Sequence, residues 1–172
     1  MDRFLGILTK TALALVVVVG LLPAACSRPV SLEHTFSYDE ALARAVLDGI
    51  ARKDGEGLLQ LSVSKDEFED LVWPTLPVSR PEVGMPLSYV WQDTFTKSRS
   101  YLAQTLDEFG GSRYELHGID FGGPTTDHGT YTVSRRARLL VTDEHGEKRR
   151  LRLFGSVIRQ HGRSKVFSYI VD

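Results

Sequence analysis

Residues 131–141 read YTVSRRARLLV, and the predicted fold rests mainly on this pattern. Along a β-strand, successive side chains point to opposite faces, so every second residue shares a face. One face is mostly apolar and carries Tyr131, Val133, Arg135, Ala137, Leu139 and Val141, and the other carries Ser134, Arg136 and Arg138. The alternation predicts a strand with a core on one side and water on the other.

Two turns after this strand predict its neighbours. Glu144-His145-Gly146 suits a three-residue hairpin loop with Gly146 in the left-handed conformation, and His161-Gly162 suits a two-residue turn. The first turn would pair Leu139 with Leu151, Ala137 with Leu153 and Arg135 with Gly155. The second would pair Val157 with Val166, Gly155 with Ser168 and Leu153 with Ile170. Both registers keep one apolar face, and a one-residue slip would bring Arg150 and Arg152 inside.

An earlier strand completes a predicted four-stranded antiparallel meander. From Arg113 onward, Tyr114 and Leu116 share one phase while Ile119 and Phe121 share the other, with Gly118 between them. A β-bulge at Gly118 would place all four on one face.

Helical signals occupy the first part of the domain. Ser37 with Glu40 and Ser64 with Glu67 have the spacing of capping boxes, which predicts helices starting at both places. We expect the first helix to end near Arg52 and the second at Pro74. A proline-rich loop follows, and then a long helix from about Ser88 to Phe109 that Gly110-Gly111 ends.

Helices followed by a meander predict an α+β fold, with the helices packed on one face of a curved sheet. This element order resembles the nuclear-transport-factor-2-like (NTF2-like, SnoaL-like) superfamily over Ser37 to Asp172, with a cystatin-like fold as the alternative. That superfamily includes isomerases, dehydratases, binding modules and assembly domains, so the resemblance implies no single function. No sequence motif carries a catalytic residue over to this chain.

The N-terminus predicts export. Arg3 and Lys10 flank a short charged start, residues 12–22 are apolar, and Leu22-Pro23-Ala24-Ala25-Cys26 follows. This segment resembles a bacterial lipoprotein signal, so we expect residues 1–25 to be removed, Cys26 to be lipidated, and residues 26–36 to form a tether. The resemblance with Ser27 after the cysteine implies the outer membrane, facing the periplasm. An ordinary cleaved signal or an uncleaved anchor is the alternative.

Composition limits the classes of partner. Residues 26–172 carry 19 basic and 21 acidic side chains, since Asp2, Arg3 and Lys10 precede them. A nucleic-acid-binding domain normally has a basic excess, so we do not expect nucleic acid as a partner. Cys26 is the single cysteine, so the predicted domain, residues 37–172, has no disulfide and must be stabilised by its core.

Arg135 is the first candidate for ligand binding. It shares the apolar phase of its strand, and the predicted register places the small residues Gly155 and Ser168 beside it. The guanidinium would then bind an anion at the floor of a pocket under the helices. His117 and Asp120 are further candidates for that pocket. The alternative is a structural arginine paired with a helix carboxylate such as Glu69 or Asp93.

The other sheet face is a candidate interface. Its predicted members are basic or aromatic, namely Arg138, Arg152, Phe154, Phe167 and Tyr169. An apolar patch with a basic rim would bind a second copy, another envelope protein or anionic lipid. The alternative is a solvated face on which arginine stems cover the aromatic rings.

These observations leave two functional classes. No nucleophile elbow, phosphate loop, dinucleotide fingerprint or zinc motif occurs in the sequence, so we expect no cofactor and no metal. The first class is a non-enzymatic, lipid-anchored module that binds a protein partner or small ligand at the cell envelope. The alternative is a cofactor-free enzyme with an acid–base site in an NTF2-like pocket.

Overall fold

The computed structural model describes residues 30–171 and shows an α+β fold with two antiparallel sheets. The four α-helices are α1 (Asp39–Arg52), α2 (Gly55–Gln60), α3 (Lys65–Glu67) and α4 (Leu87–Phe109). The strands are β1 (Glu115–Phe121), β2 (Thr125–Asp127), β3 (Thr132–Arg135), β4 (Ala137–Thr142), β5 (Lys148–Leu151), β6 (Ser156–Gln160) and β7 (Arg163–Ser168). One sheet has the order β1-β4-β5 and the other β2-β3-β6-β7.

The single meander of four long strands is therefore wrong, because the central strand is interrupted at Arg136. This residue has φ 57°, in the left-handed region, and separates β3 from β4. Arg135 pairs with Ser156, whereas the Ala137 N–H donates to the Gly155 carbonyl. Arg136 is thus an extra residue in the strand. The side chains of the residues before it therefore lie on the opposite face of the sheet from the one that the sequence predicted.

The registers close to each turn are confirmed. Leu139 pairs with Leu151, and Val157 pairs with Val166. The first strand contains the predicted irregularity, since Leu116 pairs with Val141 and Gly118 with Leu140, which leaves His117 as the extra residue. Its four apolar side chains all pack on the same core as predicted, namely Tyr114, Leu116, Ile119 and Phe121.

The helices follow their sequence signals with one exception. The Ser64–Glu67 capping box is present and starts α3, which continues as a π-helical turn (Phe68–Val72). The chain then forms a short 3-10 turn at Trp73–Thr75, where Pro74 ends the helix. The prediction of a Ser37–Glu40 capping box is wrong. The N-cap of α1 is Tyr38, and no side chain caps this helix.

Because of the interruption at Arg136, apolar clusters lie on both faces of the strands instead of one. The first cluster joins α1, α2 and α4 to β4 and β6, with Leu42, Ile50, Leu58, Leu139 and Val157 fully enclosed. The second lies on the opposite face, where Val133 and Ile158 contact the Phe68–Val72 turn and Leu32. The sequence predicted that all helices pack on one face of the sheet. This is correct for α1, α2 and α4 in the first cluster, but the Phe68–Val72 turn packs on the opposite face.

The end of the predicted tether belongs to the folded domain. Leu32 is buried, and its N–H donates to the Gln160 side chain, which in turn donates to the Val30 carbonyl. Phe36 and Ser164 exchange two backbone hydrogen bonds of 2.9 and 2.8 Å. The fold thus includes residues 30–36, and the signal segment and Cys26 lie outside the described residues.

Candidate functional site

The two sheets separate beside Arg136 and Gly155, and a pocket opens there. Gly155 is required at this point, because a Cβ atom on it would lie 1.7 Å from the Ile170 carbonyl oxygen. The pocket has a volume of about 300 Å³. We call it the seam pocket and define it by its lining residues, Val133, Arg135, Gly155, Ser156, Phe167, Ser168 and Ile170.

Arg135 contributes the single ionisable side chain of this lining. It is exposed, and within residues 30–171 its guanidinium has no hydrogen bond, ion pair or ring contact. Its predicted place on the side of α1, α2 and α4 is wrong, because the extra residue Arg136 moves it to the opposite face. A structural ion pair with Glu69 or Asp93 is also not formed.

Arg135 and two serine side chains form a row across three neighbouring strands. Arg135 is opposite Ser156 on β6, and Ser156 is opposite Ser168 on β7. Directly opposite residues have Cβ atoms about 4.5–5.5 Å apart, so the three side chains are neighbours on one face. The sequence predicted the proximity of Arg135 and Ser168 but missed Ser156, because the bulge moves Arg135 from Gly155 to the next residue.

The serine hydroxyls of this row are open to a ligand. Ser156 and Ser168 are 8% and 7% exposed, and within the described range their side chains make no hydrogen bond. No fully enclosed side-chain oxygen or nitrogen in the same range lacks a partner, so each of these hydroxyls keeps some exposure, and both residues line the pocket. A guanidinium and two hydroxyls can together donate several hydrogen bonds to one anionic group.

Phe167 forms an apolar wall of the seam pocket. The pairing of β6 with β7 shifts at this point, which leaves Phe167 as an extra residue between Val166 and Ser168. Its ring is half-buried and packs on the second cluster beside the Phe68–Val72 turn. The pocket therefore combines cationic, hydroxyl and aromatic surfaces.

His117 and Asp120 do not join Arg135. The His117 Nε2 atom lies 2.6 Å from the Thr142 hydroxyl oxygen, and Asp120 forms an ion pair with Arg138. Both residues belong to β1, in the other sheet, and neither lines the seam pocket. Their predicted place in a common pocket with Arg135 is wrong.

Two of the three aromatic members of the predicted interface are buried, and Phe167 is half-buried. Phe154 and Tyr169 are 1% and 0% exposed and belong to the first cluster, so their predicted exposure is wrong. The Tyr169 hydroxyl donates to the Leu58 carbonyl at 2.6 Å, and burial raises the pKa of this phenol far above its usual value. Arg138 is half-exposed and Arg152 exposed, so the basic members do lie outside.

A buried ion pair was missed from the sequence. Lys165 donates to both carboxylate oxygens of Glu67 at 2.9 and 2.8 Å, and the two side chains are 3% and 6% exposed. Burial raises the pKa of Glu67, but the Lys165 hydrogen bond and the backbone N–H groups of Ser64 and Glu33 outweigh it, so the pKa is lowered overall. The pair joins α3, β7 and the N-terminal segment. The Ser64–Glu67 capping box was the available signal for Glu67.

A second polar network fixes the start of α1. Arg159 donates to Asp39, and the Ser134 hydroxyl lies 2.6 Å from the same guanidinium. The Ser164 hydroxyl also donates to Asp39 at 2.5 Å. The charges of Asp39 and Arg159 are thus engaged in joining β3, β6 and β7 to the helix, which is a structural role.

Neither metal nor transmembrane features occur in the part of the chain that the structure describes. No group of three or more histidine, cysteine or acidic side chains could hold a metal ion there. Within the same residues, no helix has the length and apolarity needed to cross a membrane. No family model, curated protein or solved structure matches this chain.

Proposed function

We propose that this chain is a non-enzymatic binding module of the cell envelope, anchored through lipid on Cys26, and that its seam pocket holds a small anionic ligand. The observation that carries the proposal is the row of Arg135, Ser156 and Ser168, whose donor groups have no partner within residues 30–171. A planar fork of guanidinium donors suits a carboxylate or phosphate group.

The size and lining of the pocket narrow the ligand class. A volume of about 300 Å³ is at the lower end for small-molecule sites. Phe167 and Val133 supply an apolar surface beside the donors. The expected ligand is therefore a small molecule, or a terminal group of a larger one, that combines one carboxylate or phosphate with a short apolar part.

The chemistry of the lining favours binding over catalysis. General acid–base catalysis needs a group that exchanges protons near neutral pH, within hydrogen-bond reach of the substrate. An arginine side chain offers only hydrogen-bond donors, and the serines of the pocket have no histidine or carboxylate in its lining to activate them. The cofactor-free enzyme thus remains the second candidate.

We also propose that the domain is an NTF2-like cone. The support is the order of elements, helices before strands, together with the packing of α1, α2 and α4 on the strands in the first cluster. The seam pocket lies on the opposite face from these helices. The proposed ligand site is therefore separate from the cone interior.

The proposed membrane anchor rests on the sequence Ala24-Ala25-Cys26, and only a short chain joins it to the fold. Cys26 is four residues before Val30, which already bonds to the domain through Gln160. An extended chain spans at most about 3.6 Å per residue, so a lipid on Cys26 would hold the domain close to the bilayer. The proposed location is the outer membrane, facing the periplasm.

Replacing Cys26 with Ser tests the anchor. We expect the native protein to carry lipid on Cys26 and to partition into membranes, and the variant to appear in the soluble fraction or to keep its signal. Mass spectrometry of the mature N-terminus provides the measurement. An unmodified Cys26 thiol in the membrane-purified native protein would contradict the proposal.

Replacing Arg135 with Met tests the seam pocket. The change keeps the length of the side chain and removes its donors, and because Arg135 is exposed and unpartnered, we expect stability to change by less than about 0.5 kcal/mol. Inorganic phosphate or succinate at about 100 times its dissociation constant should stabilise the native domain by about 2.7 kcal/mol. The variant should show no such gain in thermal melts.

Arg136→Met is the matched control, since it removes the same charge one residue away without altering the pocket lining. It should retain the stabilisation by phosphate or succinate. If Arg135→Met and Arg136→Met lose stabilisation equally, the effect comes from general surface charge and the pocket proposal is wrong.

A further inference from the structure

Strand β5 leaves an open edge in the smaller sheet. The sheet order ends with β5, whose backbone pairs only with β4 within the described residues. The residues along this edge are strongly basic, and we define the basic edge as Lys148, Arg149, Arg150 and Arg152. This surface lies apart from the seam pocket, and no residue belongs to both.

The register shows which backbone groups face outward. The Asp143 N–H donates to the Glu147 carbonyl, so Asp143 and Glu147 form a hydrogen-bonded pair at the turn. Hydrogen-bonded pairs alternate along an antiparallel ladder, so Arg149 is bonded to Val141 and the next residue, Arg150, is not. The backbone N–H and C=O groups of Lys148 and Arg150 therefore point away from β4, toward the open edge.

A groove runs between this edge and the C-terminal half of α4. Its volume is about 630 Å³. Tyr101, Thr105 and Phe109 of α4 line one side, and residues 149–152 line the other. Glu108 is the one acidic residue in the lining. The groove is thus basic along the strand and partly aromatic along the helix.

Within residues 30–171, Arg149 of the basic edge already forms ion pairs, whereas Lys148 and Arg150 do not. Arg149 is paired with Asp143 at 2.8 Å and with Glu147 at 3.3 Å. Lys148 and Arg150 are exposed, and their side chains form no ion pair with any residue in the range 30–171. Charged residues on an open edge commonly prevent unwanted strand pairing, and they exclude partners of the same sign.

We infer that the basic edge binds an acidic, extended segment of another protein, which adds to the sheet as a strand beside β5. The outward backbone groups of Lys148 and Arg150 would supply the ladder hydrogen bonds. Acidic side chains of the added strand would face Lys148 and Arg150, and apolar ones would contact Tyr101 and Phe109 in the groove. Two copies of this chain would bring their basic edges together, so self-pairing at β5 is disfavoured.

The topology also places this edge away from the start of the fold. Val30 contacts Gln160, beside the turn that joins β6 to β7, and β3 begins next to that point. The chain then advances through β3 and β4 to the hairpin before β5, about 11 residues at about 3.3 Å each. The outward backbone N–H and C=O groups of Lys148 and Arg150 can form ladder hydrogen bonds with another polypeptide but not with lipid, which favours a protein partner over lipid.

A synthetic peptide tests this inference on the full chain. The probe is a peptide of about ten residues that alternates Glu and Val, which is the length of a long strand. We expect it to bind in isothermal titration calorimetry, with affinity that falls as salt is raised. Methylating alternate backbone nitrogens of the peptide should weaken binding by at least about tenfold, because the methylated nitrogens cannot donate ladder hydrogen bonds.

Charge reversal provides the matched variants. Arg150→Glu should weaken binding of the unmethylated peptide by at least about tenfold, because it places a like charge opposite the glutamates. Arg80→Glu, which changes an exposed arginine in the proline-rich loop, should bind as the native chain does. Circular dichroism of both variants will show that each is folded.

Three outcomes would overturn the inference. Equal binding of methylated and unmethylated peptides would show general electrostatic attraction without strand addition. Equal weakening by Arg150→Glu and Arg80→Glu would show the same. Binding to phosphatidylglycerol vesicles that depends on Arg150, with no binding of the peptide, would identify the surface as a lipid contact.

Discussion

Replacing Phe154 with Glu is expected to unfold the domain, with a loss of more than about 5 kcal/mol in the free energy of unfolding. Removing a buried phenylalanine side chain alone costs about 3–5 kcal/mol. An ionised carboxylate in the same apolar site adds a large desolvation cost, which protonation only partly relieves. Since domains are stable by about 5–15 kcal/mol, this change should abolish the cooperative melting transition. Near-ultraviolet circular dichroism measures it directly.

Phe154→Leu is the control for this prediction. It keeps an apolar side chain at the site and should cost about 1–3 kcal/mol, which leaves a folded domain with a lower melting temperature. A Phe154→Glu protein that melts like the native one would mean that Phe154 is exposed, as a sheet-face interface would require. Phe154 would then not belong to the first cluster.

Replacing Lys165 with Met is expected to destabilise the domain by about 3–5 kcal/mol. The change leaves the Glu67 carboxylate buried without its cationic partner, although the N–H groups of Ser64 and Glu33 still donate to it. Urea denaturation at pH 7 measures the loss. Lys65→Met, the same change at an exposed lysine, should alter stability by less than about 0.5 kcal/mol.

The pH dependence of stability shows whether Lys165→Met acts by removing a charge or by disturbing the packing. The pKa of Glu67 is lowered from 4.5 in the folded native domain, so its ionised form adds stability above that value, and this stability is lost as the pH falls through the folded pKa. In Lys165→Met, burial should instead raise the pKa of Glu67, and protonation should relieve the cost. The stability difference between the two proteins should therefore shrink from pH 7 to about pH 4.

The double variant Lys165→Met, Glu67→Met completes this test. Replacing both charges with apolar side chains should recover part of the loss, because no buried carboxylate is then left unpaired, although the Ser64 and Glu33 N–H groups lose their acceptor. A difference between Lys165→Met and native protein that stays constant with pH would assign the effect to packing and contradict the role of the ion pair.

Local sequence signals predicted most of the individual elements. The Ser64–Glu67 capping box, the end of α1 at Arg52 and the long helix to Phe109 depend on neighbouring residues, and the structure confirms them. The register near each turn, such as Leu139 with Leu151, is likewise fixed by loop length and is also confirmed. These features need no knowledge of distant contacts.

The assignment of faces failed where alternation was interrupted. Arg136 has a left-handed backbone although it is not a glycine, and the alternating pattern of residues 131–141 continues through it without any signal. Each residue on one side of such a bulge changes face relative to the other side. The sequence therefore placed Arg135 with Leu139, whereas the structure places them on opposite faces.

Interruptions of the alternating pattern also explain why some of the predicted site residues were placed on the wrong face. Arg135 and Ser168 were correctly brought near each other, because cross-strand neighbours depend mainly on register, but the face of their pocket was wrong. Phe154 and Tyr169 were assigned to the outside by simple alternation, but Phe154 precedes β6, Tyr169 follows β7, and the pairing of these two strands shifts between Ser156 and Val157. The Lys165–Glu67 pair joins residues 98 positions apart, a contact that no local pattern encodes.

An amide nuclear magnetic resonance titration of the native protein with inorganic phosphate and with succinate will show whether the seam pocket binds an anion. Binding in the seam pocket predicts saturable shifts at the amides of Arg135, Ser156, Phe167 and Ser168, and their loss in Arg135→Met but not in Arg136→Met. Shifts that do not saturate, or that map to other surfaces and persist in Arg135→Met, would contradict an anion site in the seam pocket.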